Sequence, residues 1–322
     1  MSRFLCLITL IASFLMGAVA HAAERVVIYT SAEEYRNAYF EERLKKAFPQ
    51  YEIILDYMPT GNQAAKLMSE GKNTPCDISL DLEYAYLEQL QANLAVLDQF
   101  DFSIYTDDFV TPTRKWLPVY RNGGAIIVNT QVLKAKGLAE PQSYADLLKP
   151  EYKNLISMPN PKFSGTGYMF VKNLVNIWGE DKAFDYFDDF SQNVLQFTSS
   201  GSGPVKALVQ GEAAIGLGMT GQAVIEINKG SPLKVTYFEE GSPYTLYGMA
   251  IIAGKEKRQA VQDVMKFFYD HLIEENNAKF FPEKVFKNKD FTLKNFPAKI
   301  QYANMGPNTI EEKKRILDNW EY

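Results

Sequence analysis

Met158-Pro159-Asn160-Pro161-Lys162-Phe163-Ser164-Gly165-Thr166-Gly167-Tyr168 is the stretch from which the architecture of this chain can be read. It continues a short apolar run, Leu155-Ile156-Ser157-Met158, that has the length and content of a buried strand. Two prolines end that run, and the Ser-Gly-Thr-Gly that follows has the chemistry of a helix start. From Gly167 to Trp178 the apolar spacing is helical. A strand that passes within a few residues into a helix is half of a βαβ unit.

The same alternation continues in both directions. Upstream, Val26–Tyr29, Ile53–Leu55 and Asp77–Leu80 read as strands. Helices at Glu34–Phe48, Gln63–Ser69 and Glu83–Gln91 follow them. Downstream come a helix at Asp181–Gln192, a strand at Val194–Phe197, a helix at Pro204–Gln210 and a strand at Ala213–Leu217. A strand at Met249–Ala253, a helix at Arg258–Leu272 and a last helix at Thr309–Asn319 complete the order. Residues 95–122 break the pattern, with no clean period ahead of a strand at Gly124–Val128. The expected fold class is α/β, with parallel sheets covered on both faces. Two doubly wound lobes joined by a hinge are predicted: 24–122 with 247–290, and 123–246 with 291–322 including the C-terminal segment. A chain of 322 residues agrees, being too long for one core.

The N-terminus reads differently. Arg3, an apolar run from Phe4 to Val19 and Ala20-His21-Ala22 have the form of a cleavable signal peptide over residues 1–23, so the expected location is the periplasm. Removing it would take away Arg3, His21 and Cys6 and lower the formal net charge of −5 by one. An acidic chain is no polyanion binder, so no nucleic-acid partner is expected. One histidine, His271, and one cysteine, Cys76, would remain. That excludes an intramolecular disulfide, the usual zinc sites and any histidine-supported nucleophile. His271 lies on a helical stretch as a surface residue. No metal, cofactor or catalytic residue is expected, and a carboxylate-only hydrolase is the enzymatic alternative.

In open α/β sheets, ligands sit beyond the carboxyl ends of strands, where helix N-termini offer free N–H groups. Thr30-Ser31, Thr60-Gly61-Asn62-Gln63, Ser164-Gly165-Thr166 and Ser199-Ser200-Gly201-Ser202-Gly203-Pro204 stand at such junctions. Each can be an ordinary helix cap. Two glycine–hydroxyl clusters in one lobe also suit a phosphate or carboxylate oxygen, through close backbone approach and neutral donors. Ser164, Gly165, Thr166, Ser202 and Gly203 are therefore the candidate anion site. Neither cluster is a GxGxxG or a P-loop. Trp116, Tyr120, Arg121, Tyr244 and Tyr247 flank the two expected crossings between lobes, and Glu33, Glu34 and Asp81 stand at strand ends.

Together these features resemble the periplasmic solute-binding proteins of ABC importers, of type II fold. The nearer resemblance is to the branch holding ferric-ion, 2-aminoethylphosphonate and sugar-phosphate binders. It rests on Val27-Ile28-Tyr29-Thr30-Ser31, Pro75-Cys76-Asp77-Ile78, the 158–168 stretch, Gln210-Gly211-Glu212-Ala213-Ala214 and Glu239-Glu240-Gly241-Ser242-Pro243-Tyr244. The resemblance implies a non-enzymatic, monomeric receptor that closes on a solute and delivers it to a membrane permease. Its phosphate-gripping turn matches Ser164-Gly165-Thr166. The iron binders' adjacent tyrosines fall here at Met219-Thr220-Gly221, so ferric iron is the second reading and a phosphorylated or phosphonylated organic solute the first. Thr30, Ser31, Glu33, Asp81, Trp116, Arg121, Tyr247 and Thr220 are the candidates for contacting its organic part. A polyamine-like cation is a further alternative, requiring an acidic, aromatic cleft.

Overall fold

The computed structural model describes residues 23–109 and 111–322. The expected signal peptide lies outside them, save its last position. Nine strands are present among the described residues: β1 (Glu24–Thr30), β2 (Tyr51–Tyr57), β3 (Ile78–Glu83), β4 (Leu117–Asn129), β5 (Ile156–Pro159), β6 (Val194–Thr198), β7 (Ile215–Met219), β8 (Leu233–Thr236) and β9 (Tyr244–Ile251). The helices of the N-terminal part are α1 (Glu34–Ala47), α2 (Thr60–Glu70), α3 (Tyr84–Gln89) and α4 (Thr130–Lys136). Beyond them lie α5 (Gly165–Trp178), α6 (Glu180–Ser191), α7 (Gly203–Gln210), α8 (Thr220–Asn228), α9 (Gln259–Phe267), α10 (Ile273–Lys279) and α11 (Ile310–Asp318). A π turn at Phe268–Leu272 joins α9 to α10, so the helix read as ending at Leu272 runs on to Lys279.

The strands form one path, β2-β1-β3-β9-β4-β7-β5-β6, with β8 beside β4. β1 pairs in parallel with β2 and β3, and β5 with β6 and β7, as strand–helix alternation requires. The middle corrects the all-parallel expectation. β9 runs antiparallel to β3 and β4, and β4 runs antiparallel to β7. β4 also corrects the reading of 95–122 as patternless to its end. Leu117 onwards is a 13-residue strand buried at almost every position, so it carries no alternation of polar and apolar residues.

β4 is shared. Its first half, Leu117–Gly123, pairs with β9, and its second half, Gly124–Val128, with β7. Two cores result. One gathers Val26, Ile28, Leu80, Val119, Met249 and Phe268. The other gathers Ile126, Met158, Phe170, Leu174, Leu217 and Trp320. The chain returns to the second core at its end, where Trp320 stands edge-on to Phe187 and Phe197 with ring centroids at 5.3 and 5.5 Å. Truncating such a buried ring costs about 3–5 kcal/mol.

Candidate functional site

Four helices begin at the interface of the two cores, each just beyond a strand: α1 after β1, α2 after β2, α5 after β5 and α7 after β6. Their first turns enclose a cavity of about 30 Å³. Ser31, Glu33, Tyr57, Pro59, Thr60, Tyr120 and Tyr247 form the wall on the first core. Ser164, Gly165, Thr166, Ser200, Gly201 and Ser202 form the wall on the second. A space of that size holds one or two waters. It opens past Tyr57, Pro59, Ser200 and Ser202 into a mouth of about 750 Å³, where Asn37, Asn62 and Phe163 are added. Glu34 and Lys206 face each other across the mouth at 3.5 Å.

The chemistry of the two walls differs. The second core contributes hydroxyls and helix N–H groups and no charged side chain. Ser164 Oγ caps α5 by accepting from Gly167 N at 3.4 Å. Ser200 and Ser202 hydroxyls lie 3.1 Å apart, and Ser202 is the N-cap residue of α7 without making a side-chain cap. Thr166 Oγ1 accepts from Asn122 Nδ2 at 3.1 Å. The first core contributes one carboxylate, Glu33, whose Oε2 accepts from Arg36 at 3.1 Å. Arg36 itself is buried beneath the ring of Tyr120, 4.4 Å from its centroid, and pairs with Asp81 behind the cavity. Burial pushes the Asp81 carboxyl up to about 6, against the pull of the Arg36 guanidinium. Tyr120 stacks on Tyr247 with centroids 5.1 Å apart. No lysine or arginine lines the inner cavity: its second-core wall offers an anion neutral donors and the positive ends of α5 and α7, and the one charged side chain in the lining is Glu33 opposite.

Close approach explains one glycine. A Cβ on Gly165 would run into the Tyr247 hydroxyl, with Thr60 Cγ2 at 3.4 Å and Glu83 Oε2 at 3.5 Å. Two further contacts join the walls: Gly61 N donates to Phe163 O at 3.4 Å, and the Asn122–Thr166 bond links β4 to α5.

The structure brings together Ser31, Glu33, Ser164, Gly165, Thr166, Ser202 and Tyr247 from the candidates drawn from sequence. The others lie elsewhere. Thr30 is buried at the end of β1, its Oγ1 accepting from Ala32 N at 3.0 Å. Asp81 is behind the wall, held by Arg36. Trp116 packs in the first core's other face, edge-on to Tyr84 at 5.8 Å. Arg121 is sandwiched by Tyr244 and Tyr302, 4.8 Å from each centroid, and pairs with Asp108. Thr220 shares a hydrogen bond with Tyr237 at 3.2 Å. Gly203 begins α7 but backs onto Thr198, which explains the glycine by packing alone. Thr60, Ser200 and Gly201 from the junctions and Tyr120 from the aromatic cluster also enter the cavity, and Tyr57 and Pro59, which the sequence did not single out, complete it. Tyr57 closes β2, and a strand's carboxyl end is the signal that would have found it. Among the described residues no group of three or more His, Cys, Asp or Glu converges as a metal site.

Residues 56–312 match the sequence profile of the bacterial extracellular solute-binding proteins. The chain belongs to that family. An uncharacterized protein of Haemophilus influenzae is 26% identical over 97% of this chain and 94% of its own length. Among solved structures, AfuA of Actinobacillus pleuropneumoniae, with fructose 6-phosphate bound, superposes with a TM-score of 0.81 at 24% identity, over 93% of this solute-binding protein and 98% of AfuA. Iron-bound HitA of Pseudomonas aeruginosa gives 0.71 at 16% identity, over 92% and 99%. The fold is the type II fold of periplasmic binding proteins from ABC importers. Family and neighbours are binding proteins and not enzymes, which removes the carboxylate-hydrolase alternative. No helix among the described residues is long and apolar enough to cross a membrane.

Proposed function

We propose that this solute-binding protein captures a small phosphorylated or phosphonylated organic solute between its two cores and hands it to a membrane permease. The observation that carries the reading is the uncharged wall of the second core. There Ser164, Gly165 and Thr166 at the start of α5 and Ser200, Gly201 and Ser202 just ahead of α7 bring hydroxyls and backbone to one space, and no basic side chain enters it. Such a wall stabilises a compact anion through dipoles and neutral hydrogen bonds. Glu33 and Ser31 opposite it supply acceptors for hydroxyl or ammonium groups on the solute's organic part. A cavity of about 30 Å³ admits no such solute until the cores separate, so binding goes with opening and closure about the strands β4 and β9. At the junction of β7 and α8, where the resemblance puts the iron binders' adjacent tyrosines, this chain has Met219, Thr220 and Gly221, so ferric iron is the second reading.

The test is calorimetry on the purified protein with sugar phosphates, 2-aminoethylphosphonate and their dephosphorylated parents, with ferric citrate and spermidine as separate arms. Tight binding of a phosphorylated or phosphonylated compound, lost in its parent, is expected. Tight binding of the parent, of iron or of spermidine instead refutes the reading.

A further inference from the structure

The C-terminal helix α11 (Ile310–Asp318) lies between the two cores, against α3 of the first and α5 of the second, and its later residues tie it to the second. Ile316 and Trp320 are buried there, Asn319 Nδ2 donates to Glu180 at 2.7 Å, and Tyr322 OH reaches Asp188 at 2.5 Å. Arg315 pairs with Glu180, and Glu312 with Lys172 of α5. Two side chains of the helix face the other way: Ile310 packs on the first core's other face, and Lys313 is charged. Lys313 turns toward the first core and pairs with Glu83, the last residue of β3, and both side chains are at most 2% exposed. The Lys313 ammonium stands over Tyr86 of the first core at 4.4 Å and over Tyr168 of the second at 4.0 Å.

Glu83 touches the binding cavity from behind. Its N–H donates to Thr60 Oγ1 at 3.3 Å, it faces Tyr247 across the β3–β9 ladder, and its Oε2 lies 3.5 Å from where a Cβ on Gly165 would be. Thr60, Gly165 and Tyr247 are cavity residues drawn from both cores. Asn308 Nδ2 reaches the other carboxylate oxygen at 3.4 Å. Two buried charges are tolerated in such a place only when they remain paired. Movement of α11 with the second core, away from β3, strips the pair.

We propose that the Glu83–Lys313 pair is a positioning element for the binding site, which holds the second core against the cavity floor and sets how readily the two cores separate. The proposal rests on opening and closure of the cleft, and is independent of which solute is bound. Neither residue lines the cavity, so the pair acts through Thr60, Gly165 and Tyr247.

The experiment uses the full mature chain with spin labels at Glu41→Cys, at the mouth on the first core, and Gln210→Cys, at the end of α7 on the second core, both exposed, and reads the distance between them without ligand. In Glu83→Gln/Lys313→Met both charges go together, so no unpaired buried charge remains to unfold the protein. The distance distribution is expected to shift to longer values. The Kd for fructose 6-phosphate is expected to rise in the same variant by about 2- to 30-fold, the range for residues that modulate coupling without touching ligand. Lys313→Arg keeps the charge and lengthens the side chain; it is expected to shift the distances in the same direction by less. A wild-type distance distribution in either folded variant overturns the proposal and leaves the pair a structural one. Absence of fructose 6-phosphate binding in the wild type would count against the phosphorylated-solute reading alone, because the distances are measured without it.

Discussion

Gly165→Ala isolates the contact on which closure of the cleft depends. Gly165 is the first residue of α5, and the added methyl meets the Tyr247 hydroxyl, which belongs to the opposite core. Within its own core the change is harmless. Alanine is the better helix former by about 0.8–1 kcal/mol, so the second core should melt no earlier than in wild type. Across the cleft the methyl overpacks a closed interface, at about 1–3 kcal/mol. If solute binding requires that interface, the penalty appears in the affinity, as a roughly 5- to 150-fold rise in Kd at about 1.4 kcal/mol per decade. Titration calorimetry with fructose 6-phosphate reads the affinity, and X-ray scattering with and without solute reads the contraction. The second variant, Gly165→Ala/Tyr247→Phe, removes the hydroxyl that the methyl strikes and should recover part of the loss relative to Tyr247→Phe alone. Wild-type affinity in Gly165→Ala, or a loss that the phenylalanine does nothing to relieve, would show that the two cores do not close on this contact.

Other outcomes are expected from the same geometry. Ser164→Ala should lose about 1 kcal/mol of stability as a helix cap, and should weaken binding of a phosphorylated solute about tenfold to a hundredfold, since hydrogen bonds to charged acceptors contribute about 1.5–3 kcal/mol; unchanged calorimetry with a lowered melting temperature would make it a cap only. Arg121→Met should leave solute affinity within about twofold of wild type while lowering the melting temperature, because Arg121 packs between Tyr244 and Tyr302 and not in the cavity; a large loss of affinity would return it to the site. The purified protein should show no tyrosinate-to-iron absorption band after incubation with ferric citrate, and a visible band abolished by chelator would reverse that. The Arg43 guanidinium and Tyr39 hydroxyl hold the Glu275 carboxyl below its ordinary range, joining α1 to α10. Its contribution, at most about 1 kcal/mol for so accessible a pair, is present at neutral pH and lost as pH falls through the lowered value; Glu275→Gln should flatten that part of the acid unfolding curve, and an unchanged slope would show the pair contributes nothing.

How much of the molecule was legible from sequence depends on whether a signal is local. A parallel strand followed by a capped helix is written in a dozen consecutive residues, so β1, β2, β3, β5 and β6 with the helices after them, and β7 without the α8 that follows it, could be read in order. β4 could not. Burial on both faces removes its period, Pro118 and the Gly123–Gly124 pair look like loop, and its antiparallel partners β7, β8 and β9 lie far away in the chain. The glycine–hydroxyl clusters were legible for the same reason as the helices, because cap chemistry and ligand chemistry use the same donors at the same strand ends.

The other wall shows where such reading stops. Arg121 and Tyr120 are neighbours, and sequence offers no ground for preferring the one that enters the cleft. Register decides it: Tyr120 pairs with Tyr247 in the β4–β9 ladder after a bulge at Pro118, and the two rings stack, while Arg121 takes the opposite side of the strand, toward Asp108 and Tyr302. Tyr57 and Thr60 enter the cavity only because β2 lies at the edge of the first core, where its carboxyl end faces Ser200 and Gly201 across the gap. A site made by two cores therefore has one wall that each core's own sequence can announce, and a complementarity that exists only once β4 and β9 have set the cores face to face. Gly165 against Tyr247 is that complementarity at its tightest. It joins a helix start to a strand some eighty residues away, and it is the place where a single added methyl should separate folding of the cores from closure between them.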